Sequence, residues 1–189
     1  ILIEMMDLFP SSYIHIGGDE AAKSAWKQCP DCRKKMEEEG LRDVDELQSY
    51  FVKRIGSFIA SKGRRMIGWD EIIEGGLAPG AIVMSWRGSE PGIKAMQMGH
   101  EVIMSPSTHF YINAKQDAPI LASPGVGNYL PLSKVYNYDA ASIGKPLGYQ
   151  ANLWAEYVVE DEEYEYLLYA RMAALAEIAW GKRPDAEYG

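Results

Sequence analysis

Two adjacent carboxylates, Asp19 and Glu20, close the segment His15-Ile16-Gly17-Gly18 and are the most pointed chemical feature of the chain. Neighbouring residues at a strand end send their side chains in different directions, so this pair need not flank a water symmetrically and can do two different jobs. The competing assignment is a helix N-cap followed by a first-turn acid. Other catalytic chemistries are poorly supplied. The 3 histidines (His15, His100, His109) come with no Gly-x-Ser-x-Gly elbow and no Ser/Cys/His/Asp ordering, which leaves little room for His-based nucleophilic catalysis. The 2 cysteines stand together in Cys29-Pro30-Asp31-Cys32, with no second pair or His pair to complete a zinc site, so no metal and no cofactor is called for. A redox pair belongs at a strand-to-helix junction; this one follows a polar loop and reads as structural or incidental.

Aromatic residues accompany the acids. Trp69 precedes Asp70-Glu71, Trp86 precedes Arg87, and Trp154 stands two residues before Glu156. Flat rings pack on pyranose C–H faces while acids bind hydroxyls, so the pattern suits a sugar; burial in a core is the competing fate of any one tryptophan. Asp70 and Glu71 suit a helix start at least as well as substrate. His15 fits a hydrogen-bonded structural residue.

These residues need elements to hold them. Apolar spacing over 1–9 reads as the tail of a helix. Short β-rich runs over 13–16, 65–68, 81–85, 101–104 and 150–153 read as strands. Helices are expected over 32–39, from Asp43 to just before Gly63, over 90–98 and over 162–180. The second of these should bury Leu47, Tyr50, Phe51, Ile55, Phe58 and Ile59, and the last should bury Tyr166, Leu167, Ala170, Ala173, Ala174 and Ile178. Residues 108–146, rich in Pro, Gly, Asn, Tyr and Ser, read as a long functional loop.

Strands alternating with helices predict a parallel sheet covered on both faces. Asp19/Glu20, Trp69, Trp86 and Trp154/Glu156 all fall just past the C-terminal ends of strands, the rim where a (β/α)8 barrel builds its sites. The fold class expected is therefore α/β, a partial (β/α)8 TIM barrel of about five βα units, strands 4 to 8. A full barrel takes about 250 residues; the 189 here are expected to be, from 1 to 189, the C-terminal portion of a barrel domain whose N-terminal strands lie outside the chain.

Composition excludes other classes. A formal charge of −8 argues against nucleic acid and anionic membranes, which need a basic footprint. No apolar run reaches the roughly 18 residues of a membrane span. A hydrophobic fraction of 47% suffices for a core, which excludes a disordered chain.

His15-Ile16-Gly17-Gly18-Asp19-Glu20 resembles the H-x-G-G-D-E signature of family 20 β-N-acetylhexosaminidases. The resemblance continues through Gly68-Trp69-Asp70-Glu71, Ser85-Trp86-Arg87-Gly88, the Tyr111 segment and Leu153-Trp154-Ala155-Glu156, in the family's order. The D-x-x-D-x-D-x-E motif of chitinases is absent. The resemblance implies a retaining, substrate-assisted hydrolase that releases terminal β-linked GlcNAc or GalNAc from an N-acetylhexosamine-containing glycan, outside the two-carboxylate schemes. It makes Glu20 the general acid and later the base, a role that asks for a proton near neutral pH. It makes Asp19 the residue that orients the 2-acetamido group, whose carbonyl oxygen attacks the anomeric carbon to form an oxazolinium-like intermediate. Tyr111 would donate to the acetamido oxygen, Trp69, Trp86 and Trp154 would wall the sugar, and Glu156 would bind the C4 or C6 hydroxyl.

Asn113 departs from the pattern, standing where members commonly carry Asp. An amide still binds a hydroxyl but carries no charge. The loop Trp of many members has no counterpart between Asn128 and Asp139. An Arg for the C3 and C4 hydroxyls and a His/Asp pair behind the acid, both from early strands in the family, are expected upstream. The isolated segment should therefore be weakly active or inactive, and its open sheet edges should make it self-associate. The resemblance also implies a secreted or periplasmic setting. A non-catalytic N-acetylhexosamine-binding protein on the same scaffold is the rival reading; a metal-dependent hydrolase is the more remote one.

Overall fold

The computed structural model describes residues 1–117 and 124–181; of the expected loop over 108–146, residues 118–123 lie outside the described residues. In chain order the elements are α1 (Leu2–Leu8), β1 (Tyr13–His15), α2 (Ser24–Gln28), α3 (Pro30–Glu39), α4 (Val44–Ser61), β2 (Arg65–Trp69), β3 (Ile82–Ser85), α5 (Glu90–Gln97), β4 (Val102–Met104), α6 (Ser107–Phe110), α7 (Leu132–Tyr136), β5 (Gly148–Tyr149) and α8 (Asp161–Ala179). The five strands follow one another across the sheet in sequence order. Ile14 pairs with Met66, Gly68 with Val83 and Ile103 with Gly148, all in parallel register. Between β3 and β4 the Val83 N–H donates to the Glu101 carbonyl and the Ser105 N–H to the Ser85 carbonyl. Parallel neighbours need a crossover between them, so the helices are obligatory rather than decorative.

The chain divides into two compact units, residues 1–84 with 94–102, and 85–93 with 103–189. In the first, α4 packs on β2. Asp43 caps it, its carboxylate accepting the N–H groups of Asp45 and Glu46 at 2.9 Å each. Glu46 accepts the Arg42 N–H at 2.7 Å, one residue earlier than a capping box would place it. The expected buried face is corrected here: α4 buries Val44, Gln48, Ser49, Val52 and Ile59, while Phe51 is 63% exposed and Phe58 is exposed as well. The reason is a rotation of the stripe, since 44, 48, 52 and 59 recur at helical spacing one position round from the aromatic set.

In the second unit α8 packs on α7 and β5. Its first turn is a capping box between Glu160 and Glu163, so the acidic run is a helix start. Its buried residues are Leu167, Arg171, Ala174, Leu175 and Ile178; Ala170 and Ala173 face out, against expectation. The last strand is also displaced, occupying Gly148–Tyr149 rather than 150–153. The register explains the shift. Short β4 is used up by Gly148 and Tyr149, and the Gln150 N–H takes the Met104 carbonyl. Residues beyond it pair instead with the segment after α6, Asn152 receiving the Ile112 N–H and donating to Phe110 O, both at 2.9 Å.

Candidate active site

In the first unit, β1 ends at His15 and the chain turns at once through Gly17 (φ 73°) and Gly18 (φ 98°). Both glycines are needed. A Cβ on Gly18 would stand 2.8 Å from Ile72 Cγ2, and one on Gly68 would meet the same atom at 2.8 Å and the Gly17 carbonyl at 3.2 Å. That close approach lets the Trp69 N–H donate to Gly17 O at 2.9 Å and the Gln48 side-chain amide to Gly18 O at 3.1 Å, locking the turn to β2 and α4. Asp19 and Glu20 follow, both exposed. Glu20 has φ 49° and is the only non-glycine in the left-handed region among the described residues. Such a conformation costs a side-chain-bearing residue about 1–2 kcal/mol and persists only where its surroundings enforce it, commonly at functional sites.

Lys23 supplies part of that enforcement. Its ammonium lies 2.6 Å from Asp45 and 2.5 Å from Glu74, tying the loop to the start of α4 and to the segment after β2. Burial works against the charge, but the hydrogen bonds to the two carboxylates prevail and raise the Lys23 pKa. His15 accepts the Gly17 N–H on Nδ1 at 3.0 Å and sets its ring edge-on to Trp69, centroids 5.0 Å apart. Desolvation lowers its pKa while Asp19 pulls the other way. This is the structural, hydrogen-bonded role expected of His15. Asp70 and Glu71 are buried in a 3-10 turn, Asp70–Ile73, directly after β2, a helix start of the kind weighed for them beside substrate binding. The cysteine pair follows helix α2 rather than a loop. Cys29 N-caps α3, with the Cys32 N–H 3.5 Å from its sulfur and Pro30 at the first helical position, and both thiols are free.

The second unit collects the other aromatics. Trp86 follows β3, Tyr111 follows α6, and Trp154 follows the Asn152 pairing. Trp86 and Tyr111 are stacked, with centroids 6.1 Å apart and planes 13° from parallel. Tyr111 in turn meets Trp154 edge-to-face at 5.9 Å and 68°. Asn113 sits two residues on, its side-chain oxygen buried with no hydrogen-bond partner among the described residues. Trp154 and Glu156 are exposed. Beneath them runs a polar network no motif announced: Gln150 donates to the Asn152 side-chain oxygen at 2.8 Å, and the Asn152 amide donates to Ser105 Oγ at 2.7 Å. Ser85 Oγ, also buried, donates to Gly88 O at 2.7 Å and accepts the Gly92 N–H at 2.9 Å, shaping the turn that carries Trp86. Buried hydroxyls and amides just past strand ends were the available signal.

Asp19, Glu20 and Trp69 are thus gathered just past strand ends in one unit, while the other holds Trp86 past β3, Tyr111 and Asn113 past α6, and Trp154 and Glu156 past β5. Among the described residues no group of three His, Cys, Asp or Glu is placed to hold a metal ion, and no helix is long and apolar enough to cross a membrane.

Residues 1–183 match the family profile "Glycosyl hydrolase family 20, catalytic domain". A beta-hexosaminidase of Porphyromonas gingivalis is 47% identical over 188 residues, which covers 95% of this chain and 24% of that protein. A beta-hexosaminidase of Vibrio furnissii is 33% identical over 189 residues, covering 93% of this chain and 30% of its own length. The crystal structure of a GH20 exo beta-N-acetylglucosaminidase from Vibrio harveyi in complex with N-acetylglucosamine superimposes with a TM-score of 0.87 at 31% identity, covering 99% of this chain and 31% of that one. The chain therefore spans about a quarter to a third of the length of these relatives. The expected fold class, α/β with five βα units of a (β/α)8 barrel, is the one found.

Proposed function

The chain belongs to glycosyl hydrolase family 20, and from that premise we propose that it carries the acid and the acetamido-binding residues of an enzyme releasing terminal β-linked N-acetylhexosamine. The observation that supports this most is the turn after β1. Two adjacent acids stand there beyond two glycines, and the second acid holds a left-handed backbone, a strained conformation that clusters at functional sites.

In this reading Glu20 protonates the glycosidic oxygen as the bond to the anomeric carbon breaks. Asp19 holds the 2-acetamido N–H while the acetamido oxygen attacks that carbon, and Tyr111 donates its hydroxyl to the same oxygen. The product is an oxazolinium-like ring, with the aglycone departing protonated. Glu20, now a carboxylate, takes a proton from water as the water oxygen attacks the anomeric carbon and reopens the ring, leaving the β configuration intact. No protein nucleophile is needed in this scheme. Trp69, Trp86 and Trp154 offer ring faces to the sugar, and Glu156 and Asn113 take its hydroxyls.

The reading takes the remaining βα units of the catalytic domain to come from sequence outside these 189 residues, since five strands make only part of a closed barrel. The test is nitrophenol release from a nitrophenyl β-GlcNAc by the full-length protein, by its Glu20→Gln variant and by the isolated chain. Turnover lost in Glu20→Gln and near zero in the isolated chain is the expected pattern. Intact turnover in Glu20→Gln removes Glu20 from its role, an active isolated chain refutes the need for further units, and tight binding of an oxazoline mimic without turnover makes the protein a sugar-binding relative.

A further inference from the structure

Among the described residues Arg171 is the largest side chain withdrawn completely from solvent, and no step above uses it. An arginine in the middle of a helix ordinarily faces water. Here the guanidinium is pointed at backbone carbonyls. Nη2 donates to Ile112 O at 2.5 Å and to Leu167 O at 3.0 Å, while Nη1 donates to Ala114 O at 2.8 Å and Leu130 O at 3.3 Å. Nε adds a 3.3 Å bond to Leu167 O within α8. Burial pulls its pKa down to about 10, with Tyr166 partly offsetting the shift, so the group is still charged at neutral pH.

The choice of carbonyls is what matters. Ile112 and Ala114 bracket Asn113, and Tyr111 immediately precedes them. Leu130 ends the strand-like return that pairs with the same segment, through Val126 N–H to Asn113 O at 2.9 Å and Leu130 N–H to Lys115 O at 2.8 Å. A second tether from α8, the Tyr166 hydroxyl on the Asp117 carboxylate, closes the other end. A planar fork with five donors can hold three separated carbonyls at once; an ammonium, with three donors on one atom, cannot span them.

We propose that Arg171 is a positioning residue for acetamido and hydroxyl recognition, clamping the peptide carbonyls on either side of Asn113 and so fixing where the Tyr111 hydroxyl and the Asn113 amide stand. This rests on the functional reading above. It acts through the backbone and touches no substrate.

The experiment uses the full-length protein with Arg171→Lys and Arg171→Gln, each made alone and together with Tyr111→Phe. In the otherwise native protein kcat/KM on nitrophenyl β-GlcNAc should fall by roughly tenfold to a hundredfold, the upper figure being what a displacement of about an ångström can cost. In the Tyr111→Phe background the same substitution should cost clearly less, because the hydroxyl it places is already gone. An equal factor in both backgrounds, or no loss in a folded variant, overturns the proposal. So does failure of both variants to fold, which would make Arg171 a folding residue only. If the native protein shows no turnover at all, the functional reading is what fails. The positioning claim is then decided by the near-ultraviolet circular dichroism of the Trp86–Tyr111 stack, which should weaken in Arg171→Lys and would overturn the claim by staying unchanged.

Discussion

Gly18→Ala tests the turn that presents Asp19 and Glu20. Two independent penalties meet at this residue. Its φ of 98° is one that L side chains rarely adopt, at a cost of about 1–2 kcal/mol. The new methyl would also lie 2.8 Å from Ile72 Cγ2, and Ile72 is fully buried with little freedom to yield; overpacking of that kind costs about 1–3 kcal/mol. Stiffening of the unfolded chain returns about 0.4–1 kcal/mol, which leaves a net loss of about 2–4 kcal/mol. At about 2–4 °C per kcal/mol for domains of 150–250 residues, the melting temperature should drop by about 4–16 °C. The assay is thermal unfolding of the full-length protein followed by tryptophan fluorescence, alongside kcat/KM. If the turn rearranges instead of resisting, the loss appears in kcat/KM, because Gly17 O then moves off the Trp69 N–H. A melting temperature within about 1 °C of native together with unchanged kcat/KM refutes the argument. Combining Gly18→Ala with Ile72→Ala separates the penalties: the steric part should vanish as a favourable coupling of about 1–3 kcal/mol, while the φ part stays.

His15 has a folded pKa below its ordinary value, so the unfolded chain takes up a proton more readily. Stability is therefore complete above about 6.5, the unfolded value, and falls as pH drops below it; chemical denaturation at pH 7.5 and 5.5 should show the loss, and His15→Gln should shrink it. Cys29 should alkylate before Cys32 at pH 8. The Cys32 backbone N–H and thiol both hydrogen-bond the Cys29 sulfur and lower its pKa, while that contact raises the pKa of Cys32; peptide mass spectrometry after brief iodoacetamide treatment reads the order, and equal labelling contradicts it. The isolated 189-residue chain should self-associate, since Ile1, Leu8, Phe9, Phe51 and Trp180 are all more than half exposed; a single monomeric boundary in sedimentation velocity at micromolar concentration would count against this.

Much of the site is legible in local sequence. Asp19, Glu20, Trp69 and Trp86 announce themselves by residue type and by position after apolar runs, because strand-end placement is a local property of the chain; Tyr111, which follows helix α6, is legible only through the family resemblance. The same holds for the acidic start of α8 and the Asp43 cap of α4, where donor and acceptor lie within three residues of each other. The bounds of the expected helices and of the first four strands lie within a few residues of those the hydrophobic pattern predicts, but the short helices α2, α6 and α7 are not among those expected, α7 standing inside the stretch read as a loop, and β5 ends at Tyr149 because short β4 has no more backbone to offer.

What sequence by itself determined is the chemistry available, namely carboxylates and aromatics at the ends of parallel strands, with almost no histidine to compete. What only the tertiary structure decided is which side of each helix faces inward and what the buried polar groups are for. Helical periodicity leaves a rotation of one position undetermined, and on α4 that rotation moved Phe51 and Phe58 to solvent. A long-range contact leaves no mark in local sequence at all. Arg171 reads as a surface residue until the carbonyls of Ile112, Ala114 and Leu130, 41 to 59 positions away, close around it. Glu20 likewise reads as an ordinary acid until the fold shows its backbone in the left-handed region, two residues past the point where Gly18 meets Ile72.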